Sequence, residues 1–257
     1  MLAVLRLLGF AIISLPWATA CHIMRLLRLD ITRARRSYFR VAGKILGLRV
    51  IVRGAQSDAT PQLIVANHIS YLDIFALGGA AHGVFVAKAE ISRWPVFGWM
   101  GRSGGTVFVS RRRAATRRAR NEMREHLAAG ETLIMFPEAT SNDGNRIKPF
   151  KSALFDAAEK AMPDGQPITV QPVSIAYTRL NSLPLGIGWR PFVAWYGDME
   201  LMPHVWQALC AGTITAEITF HAPVLSNAFG NRKALAKHCE TVAGNGVARL
   251  LMGREAA

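Results

Sequence analysis

The feature that most limits the fold of this chain is a series of short apolar runs, each ending abruptly on polar or charged residues. Leu63-Ile64-Val65-Ala66 stops at Asn67-His68, and Val84-Phe85-Val86-Ala87 runs into Lys88. Thr106-Val107-Phe108-Val109 meets Ser110-Arg111, Thr132-Leu133-Ile134-Met135-Phe136 meets Pro137-Glu138, and Ile168-Thr169-Val170-Gln171 meets Pro172-Val173. Runs of this length and β-branched content read as buried strands. Further strands are expected at Leu48–Val52, Phe192–Trp195 and Thr213–Phe220, with the Ile168 run continuing to Ile175. Helical patterns lie between them at 71–80, 112–129 (closed by Gly130), 152–162, 199–209 and 232–252. The alternation predicts an α/β fold, a mixed and largely parallel sheet flanked by helices, with late strands free to pair antiparallel. Ligands of such sheets bind outside the carboxyl ends of the strands. The residues that end the runs are therefore the first place to look for chemistry.

The run before Asn67 gives the sharpest expectation. Ser70 looks like a helix N-cap, with Ile74, Phe75 and Leu77 as an apolar face behind it. His68 then sits in a strand-to-helix turn and Asp73 in the first helical turn. On one continuous helix these positions would point about 140° apart, but from a turn the carboxylate can reach back to the imidazole. A carboxylate holding one ring nitrogen fixes the tautomer and leaves the other free to accept a proton. The competing reading is a capping box, in which Asp73 only satisfies backbone donors and His68 is an ordinary turn residue.

The first 46 residues form a separate arm, ahead of an α/β domain over 47–257. Leu7 to Met24 is eighteen almost unbroken apolar residues around Pro16, the lower edge of what spans a bilayer. A proline kink also suits a helix pair lying in one leaflet. Arg25, Arg28, Arg33, Arg35, Arg36, Arg40 and Lys44 follow, opposed only by Asp30. Such a flank marks the cytoplasmic side and favours an anionic membrane surface. That predicts a membrane seat with the α/β domain on the cytoplasmic face. Ala18-Thr19-Ala20 resembles a signal-peptide cleavage site, but the basic cluster lies on the wrong side of the apolar run for that reading. The chain is 257 residues with a formal charge of +14, which calls for anionic partners. No helix-turn-helix, RNP or zinc-finger pattern points to nucleic acid. Cys21, Cys210 and Cys239 form no C-x-x-C pair, so neither a disulfide framework nor a zinc site is expected. Histidines 22, 82, 126, 204, 221 and 238 have no spacing that suggests metal ligation.

Taken in order, these elements resemble the glycerolipid acyltransferase family typified by bacterial 1-acylglycerol-3-phosphate acyltransferase. Its N-H-x-x-x-x-D motif is matched by Asn67, His68 and Asp73, and its G-x-x-F-x-x-R motif by Gly105, Phe108 and Arg111. Its F-P-E-G-T-R motif is matched at Phe136, Pro137, Glu138 and Thr140, and a V-x-P-V-like strand at Val170, Pro172 and Val173. The resemblance covers roughly residues 48 to 225. It implies that a lysolipid hydroxyl attacks an acyl thioester carried by acyl carrier protein or coenzyme A. His68 would be the general base and Asp73 its orienting acid, with no metal, no cofactor and no acyl-enzyme. Lys88 and Arg111 would lie near an anionic headgroup or the carrier's phosphates, where the simpler alternative for each is a solvated strand end. Glu138 would hold the acceptor, or else be a helix-start carboxylate. Pro172 would shape a turn beside the acyl channel. The basic stretch Arg111-Arg112-Arg113 with Arg117, Arg118, Arg120 and Arg124 would face phospholipid or an acidic carrier, or be a solvated helix face.

The third motif departs from the family at two places, with Ala139 for glycine and Ser141 for arginine. Alanine costs little unless the position needs a positive φ. The missing arginine removes a contact to a substrate phosphate. The stretch from Glu138 to Gly144, with Pro149-Phe150-Lys151-Ser152 and Trp195-Tyr196-Gly197-Asp198-Met199, is similar to the branch that acylates lyso-ornithine lipid. In that branch the acceptor hydroxyl belongs to a 3-hydroxyacyl chain under an amino-acid head, and Asp143 would suit a zwitterion. The reading leans towards that acceptor, with lysophosphatidic acid as the alternative. From another class altogether, a basic membrane-associated or nucleic-acid-binding protein without catalysis would share the charge but has no use for His68 and Asp73.

Overall fold

The computed structural model describes residues 1–109, 113–159 and 165–253. The amino-terminal arm is two helices, α1 (Leu2–Leu26) and α2 (Thr32–Ile45). Helix α1 runs through Pro16, whose missing N–H leaves the Ile12 carbonyl without its donor; Ile12 lies on the exposed face. The opposite face of α1 packs inward through Ala3, Ser14, Ala18 and Cys21. Ser14 Oγ lies 2.8 Å from Tyr38 Oη, and the Trp17 indole stacks on the Tyr38 ring at 4.0 Å.

After the arm come β1 (Leu48–Arg53), β2 (Gln62–Ala66), α3 (Leu72–Ala80), β3 (Val84–Lys88), α4 (Pro95–Ser103) and β4 (Val107–Val109). Next are α5 (Arg113–Ala128), β5 (Thr132–Met135), the short α6 (Asp156–Glu159), β6 (Thr169–Leu180), β7 (Leu183–Pro184) and α7 (Leu201–Cys210). β8 (Ile214–Phe220), β9 (Val224–Leu225) and α8 (Arg232–Leu251) complete the described chain. The strands form one sheet in the order β1-β8-β6-β2-β5-β3-β4, with β7 and β9 on the flank of β6. β2 pairs in parallel with β5 and β6, and β8 is antiparallel to β6. The mixed, largely parallel sheet expected from the sequence is thus the observed one.

Period-two alternation splits the core in two. Ile64, Ala66, Phe85 and Ile134 face the layer of α1, α2 and α3, while Leu63, Val65, Val84 and Leu133 face α5, α6 and α8. Ala18, Tyr38 and Ala42 of the arm belong to the first of these clusters, so the arm shares its core with the α/β domain. Gly78 and Gly79 allow the close approach of α2 to α3: a Cβ at Gly78 would lie 2.6 Å from the Phe39 ring.

Several expectations need correction. The arm's arginines do not all face outward. Arg36 and Arg40 donate to the carbonyls of Gly79 and Ala80 at the end of α3, and Arg25 and Arg35 to those of Arg102 and Gly104 at the end of α4. Helix ends carry unpaired carbonyls and partial negative charge, which a guanidinium satisfies. Residues Phe192–Trp195 are no strand, because a 3-10 turn at Arg190–Phe192 takes them out of the sheet. The helix expected over 152–162 is a 3-10 turn at Ser152–Phe155 leading into α6, and 160–164 lie outside the described residues. Pro172 shapes no turn: it lies inside β6, opposite Val65. On its other edge β6 changes partner, from β9 at Val170 to β8 at Val173, so the absent N–H leaves no ladder bond unmade.

Candidate active site

Neighbouring strands β2 and β5 send their following helices to opposite faces of the sheet, the arrangement in which ligands sit outside the carboxyl ends of the strands. Asn67 closes β2 there. Its side-chain amide donates to Ile175 O and accepts from Ile175 N, at 2.9 and 2.8 Å, clasping β6. His68 follows with both backbone groups tied to the loop after β5. Its N–H donates to Glu138 Oε1 at 2.9 Å, and its carbonyl accepts from Asn142 N at 3.0 Å.

With the backbone held, the imidazole meets Asp73 across the turn, Nδ1 to Oδ2 at 2.8 Å. Asp73 Oδ2 also accepts from Ile69 N and Ser70 N at 2.7 and 3.0 Å, and Oδ1 accepts from Tyr177 Oη at 2.7 Å. The two readings of this stretch therefore hold together: one carboxylate satisfies turn amides and holds the histidine. The expected cap at Ser70 does not form. Tyr71 occupies the N-cap position, and the Ser70 hydroxyl is buried with no partner among the described residues. The Asp73 side chain is 0% exposed and that of His68 is 20% exposed. A buried carboxylate needs such donors to be tolerated. Since a carboxylate only accepts, Nδ1 carries the hydrogen and the Nε2 lone pair is left free. The ring stacks on Phe136 at 4.3 Å, and Phe85 stacks behind Phe136 at 6.1 Å.

Glu138 is 1% exposed and both its oxygens are taken. Oε1 accepts from His68 N, and Oε2 from Asn142 Nδ2 and Lys148 N at 2.8 and 2.9 Å. Burial pushes its carboxyl above the usual range, against those hydrogen bonds, which pull it down. In this geometry Glu138 braces the His68 turn. Ala139 stands at φ +59°, so its position is one that favours glycine, and alanine there costs about 1–2 kcal/mol. Ser141 Oγ donates to Trp195 O, and Trp195 N donates to Ile69 O at 3.0 Å, so the segment after β7 is fastened over the site. Lys148 Nζ donates to Ser141 O at 3.0 Å, tying the two ends of this loop together.

The other expected residues are spread more widely. Phe136 joins the site, and Pro137 is buried beside it with its carbonyl accepting from Lys151 N at 2.8 Å. Thr140 is half-buried on the same loop, and Pro172 is in β6. Lys88 ends β3 on the surface, level with Val109. Phe108 lies on β4 near Gly101 of α4. Gly105 precedes β4, at the opposite end of the sheet from His68, and is not brought to the site. Arg111 lies outside the described residues. Sequence reasoning gave no role to Tyr177, although alternation along β6 places Val173, Ile175 and Tyr177 on one face. Among the described residues no group of His, Cys, Asp and Glu side chains is placed to hold a metal ion.

A family model described as Acyltransferase matches residues 49–176. The lyso-ornithine lipid O-acyltransferase of Brucella abortus is 40% identical over 221 residues, covering 85% of this chain and 83% of that protein. The chain belongs to the acyltransferase family. The 1-acyl-sn-glycerol-3-phosphate acyltransferase of Neisseria gonorrhoeae is 41% identical over a shorter stretch of 114 residues, 44% of each chain. The solved structure of the 1-acyl-sn-glycerophosphate (LPA) acyltransferase PlsC from Thermotoga maritima superposes with a TM-score of 0.70 at 24% identity, covering 99% of this chain and 98% of that one. It shares the fold of this acyltransferase. The family match runs from β1 into β6 and stops one residue short of Tyr177, the hydroxyl that completes the Asp73 site.

Proposed function

We propose that this acyltransferase is a lysolipid O-acyltransferase in which His68 is the general base. The observation that carries the reading is the 2.8 Å bond from His68 Nδ1 to a fully buried Asp73, on an imidazole that is itself partly exposed. His68 Nε2 takes the proton of a lysolipid hydroxyl as its oxygen attacks the thioester carbonyl. The tetrahedral intermediate collapses, the carbon–sulfur bond breaks, and the imidazolium returns the proton to the departing thiolate. The products are an ester and a free thiol. Positioned general bases contribute about 10²–10⁴-fold to such steps, and Asp73 stabilises the imidazolium that forms.

The acceptor we propose is lyso-ornithine lipid, supported by the long match to the Brucella abortus protein and by Ser141 standing where an arginine would meet a phosphate. The Neisseria gonorrhoeae match favours lysophosphatidic acid as the second reading. The donor is acyl carrier protein or coenzyme A thioester. We place the enzyme on the cytoplasmic face of a bacterial inner membrane, seated by α1. That helix is long and apolar enough to cross a bilayer, but it is tied to the domain at both ends. Arg6 donates to Leu209 O and Gly212 O at 2.9 and 2.6 Å, and Arg25 to Arg102 O. With Leu5, Leu8, Ile12 and Leu15 exposed along its outer side, it suits a seat in one leaflet. The test is purified protein in vesicles, given lyso-ornithine lipid and lysophosphatidic acid side by side with both donors. The reading predicts faster transfer to lyso-ornithine lipid, and no transfer to either acceptor would contradict it.

A further inference from the structure

We propose that a cavity at the far end of the sheet from His68 binds a phosphate-bearing headgroup, that of an anionic phospholipid. The cavity is an open cleft of about 440 Å³ between the turn joining α1 to α2 and the amino ends of β2, β3 and β5, a volume typical of small-ligand sites. Its wall carries Arg25, Arg28 and Arg35. The length of β2, about 16 Å at 3.3 Å per residue, separates it from the catalytic turn.

Arg35 is the reason to expect an anion. It is 7% exposed, it donates through Nη1 to Gly104 O at 3.0 Å, and among the described residues it enters no ion pair. Burial pulls its pKa down most strongly, and Arg25 adds to this, while Glu131 and Asp30 pull it back up, as expected for a cation withdrawn from water and only partly matched by opposite charge. The cavity wall sets three arginines against two carboxylates, Asp30 and Glu131, and neither carboxylate hydrogen-bonds Arg35. Glu131 accepts from His126 Nδ1 at 2.8 Å, and Asp30 from Thr32 N at 2.8 Å. A guanidinium has five donors in a planar fork, so most of those of Arg35 remain for a ligand, and phosphate oxygens match that fork. The lipid source is read from the rim and rests on the membrane seat proposed above. Leu26, Leu27 and Leu29, beside the arginines, are 71%, 65% and 54% exposed. A lipid whose phosphate enters the cavity can lay its chains against these leucines, which fixes the far end of the arm at the headgroup level.

The test uses the full chain with vesicles of phosphatidylcholine alone or mixed with phosphatidylglycerol, in low and in high salt. Arg35→Gln is expected to lose the preference for the anionic vesicles by about tenfold or more, the scale of a charge-assisted bond. Arg33→Gln removes an equal charge from the exposed side of α2 and is expected to lose only a few-fold, vanishing in high salt as diffuse attraction does. Should Arg35→Gln fail to fold, Arg28→Glu on the exposed rim is expected to show the same loss. Thermal stabilisation of the detergent-solubilised protein by glycerol 3-phosphate, abolished by the same variant, would support the anion site with a soluble source and overturn the lipid. Equal losses in Arg33→Gln and the cavity variants, with no stabilisation by glycerol 3-phosphate, would overturn the site. Acyl transfer by the wild type is read in the same vesicles: transfer without headgroup preference contradicts the site alone, and preference without transfer contradicts the catalytic reading alone.

Discussion

His68 and His221 each have an oxygen partner at nearly the same distance, yet their surroundings differ in every respect that matters for catalysis. His68 Nδ1 meets a carboxylate at 2.8 Å and its side chain stays 20% exposed. His221, just after β8, places Nε2 2.7 Å from Ser174 Oγ. The Ser174 hydroxyl spends its proton on Ala243 O, also at 2.7 Å, so it accepts from the ring and is not activated by it. Helix α8 seals that pair so closely that a Cβ at Gly246 would collide with both side chains. Burial, and then Arg249, push the His221 pKa down to about 4. A short serine–histidine contact is thus no sign of a nucleophile. What suits His68 to act as a base is a fully buried acid that fixes its tautomer, on a ring that is still partly exposed at the carboxyl end of the sheet; His126 has a carboxylate at 2.8 Å too, but Glu131 is itself half exposed.

The largest effect expected from breaking this contrast is at Asp73. Asp73→Asn should keep the fold but lower kcat by about 10³–10⁴-fold, the scale seen when an orienting acid is neutralised, and loss of only a few-fold in a steady-state assay would detach it from the chemistry. Tyr177→Phe removes one of four donors to Asp73. It should lower kcat about tenfold, the scale of one hydrogen bond to a charged group, with KM for both substrates unchanged. A purely structural tyrosine would instead lower the fraction of active enzyme. His221 should appear in stability and not in rate. Its folded pKa is depressed, so its contribution is present above the ordinary value of 6.5 and is lost as pH falls towards about 4. Denaturant midpoints should therefore drop across that window, and less steeply in His221→Asn. The smallest expected effect is Ala139→Gly, which relieves a left-handed alanine and should raise stability by about 0.5–1 kcal/mol after glycine's unfolded-state entropy is counted.

Much of the catalytic end could be read in advance because its chemistry is local. The strand ending at Ala66, the turn and the helix beginning near Asp73 lie within a dozen residues, and turn geometry alone brings acid to base. The contributions missed come from distance in sequence. Tyr177 is 104 positions from Asp73 and reaches it only because β6 lies beside β2. The sequence offers Glu138 as an acceptor contact or a helix-start carboxylate, while the pairing of β2 with β5 turns it under the His68 backbone. Phe192–Trp195 looked like a strand because it is apolar, although the turn just before it and its bonds to the catalytic loops keep it out of the sheet. Pro95 at the start of α4 is an ordinary first-turn proline. The arm's arginines were legible as a charge cluster, while their capping of α3 and α4 depends on the tertiary packing of helices that sequence pattern does not place.

The most direct test compares His68→Ala with His221→Ala in the same membranes, measuring the rate of acyl transfer from a thioester to lyso-ornithine lipid. With His68 as the base, the first variant loses about 10²–10⁴-fold while remaining folded and membrane-bound, and the second stays near the wild-type rate. A His68→Ala enzyme that transfers acyl groups as fast as the His221→Ala enzyme would contradict the account.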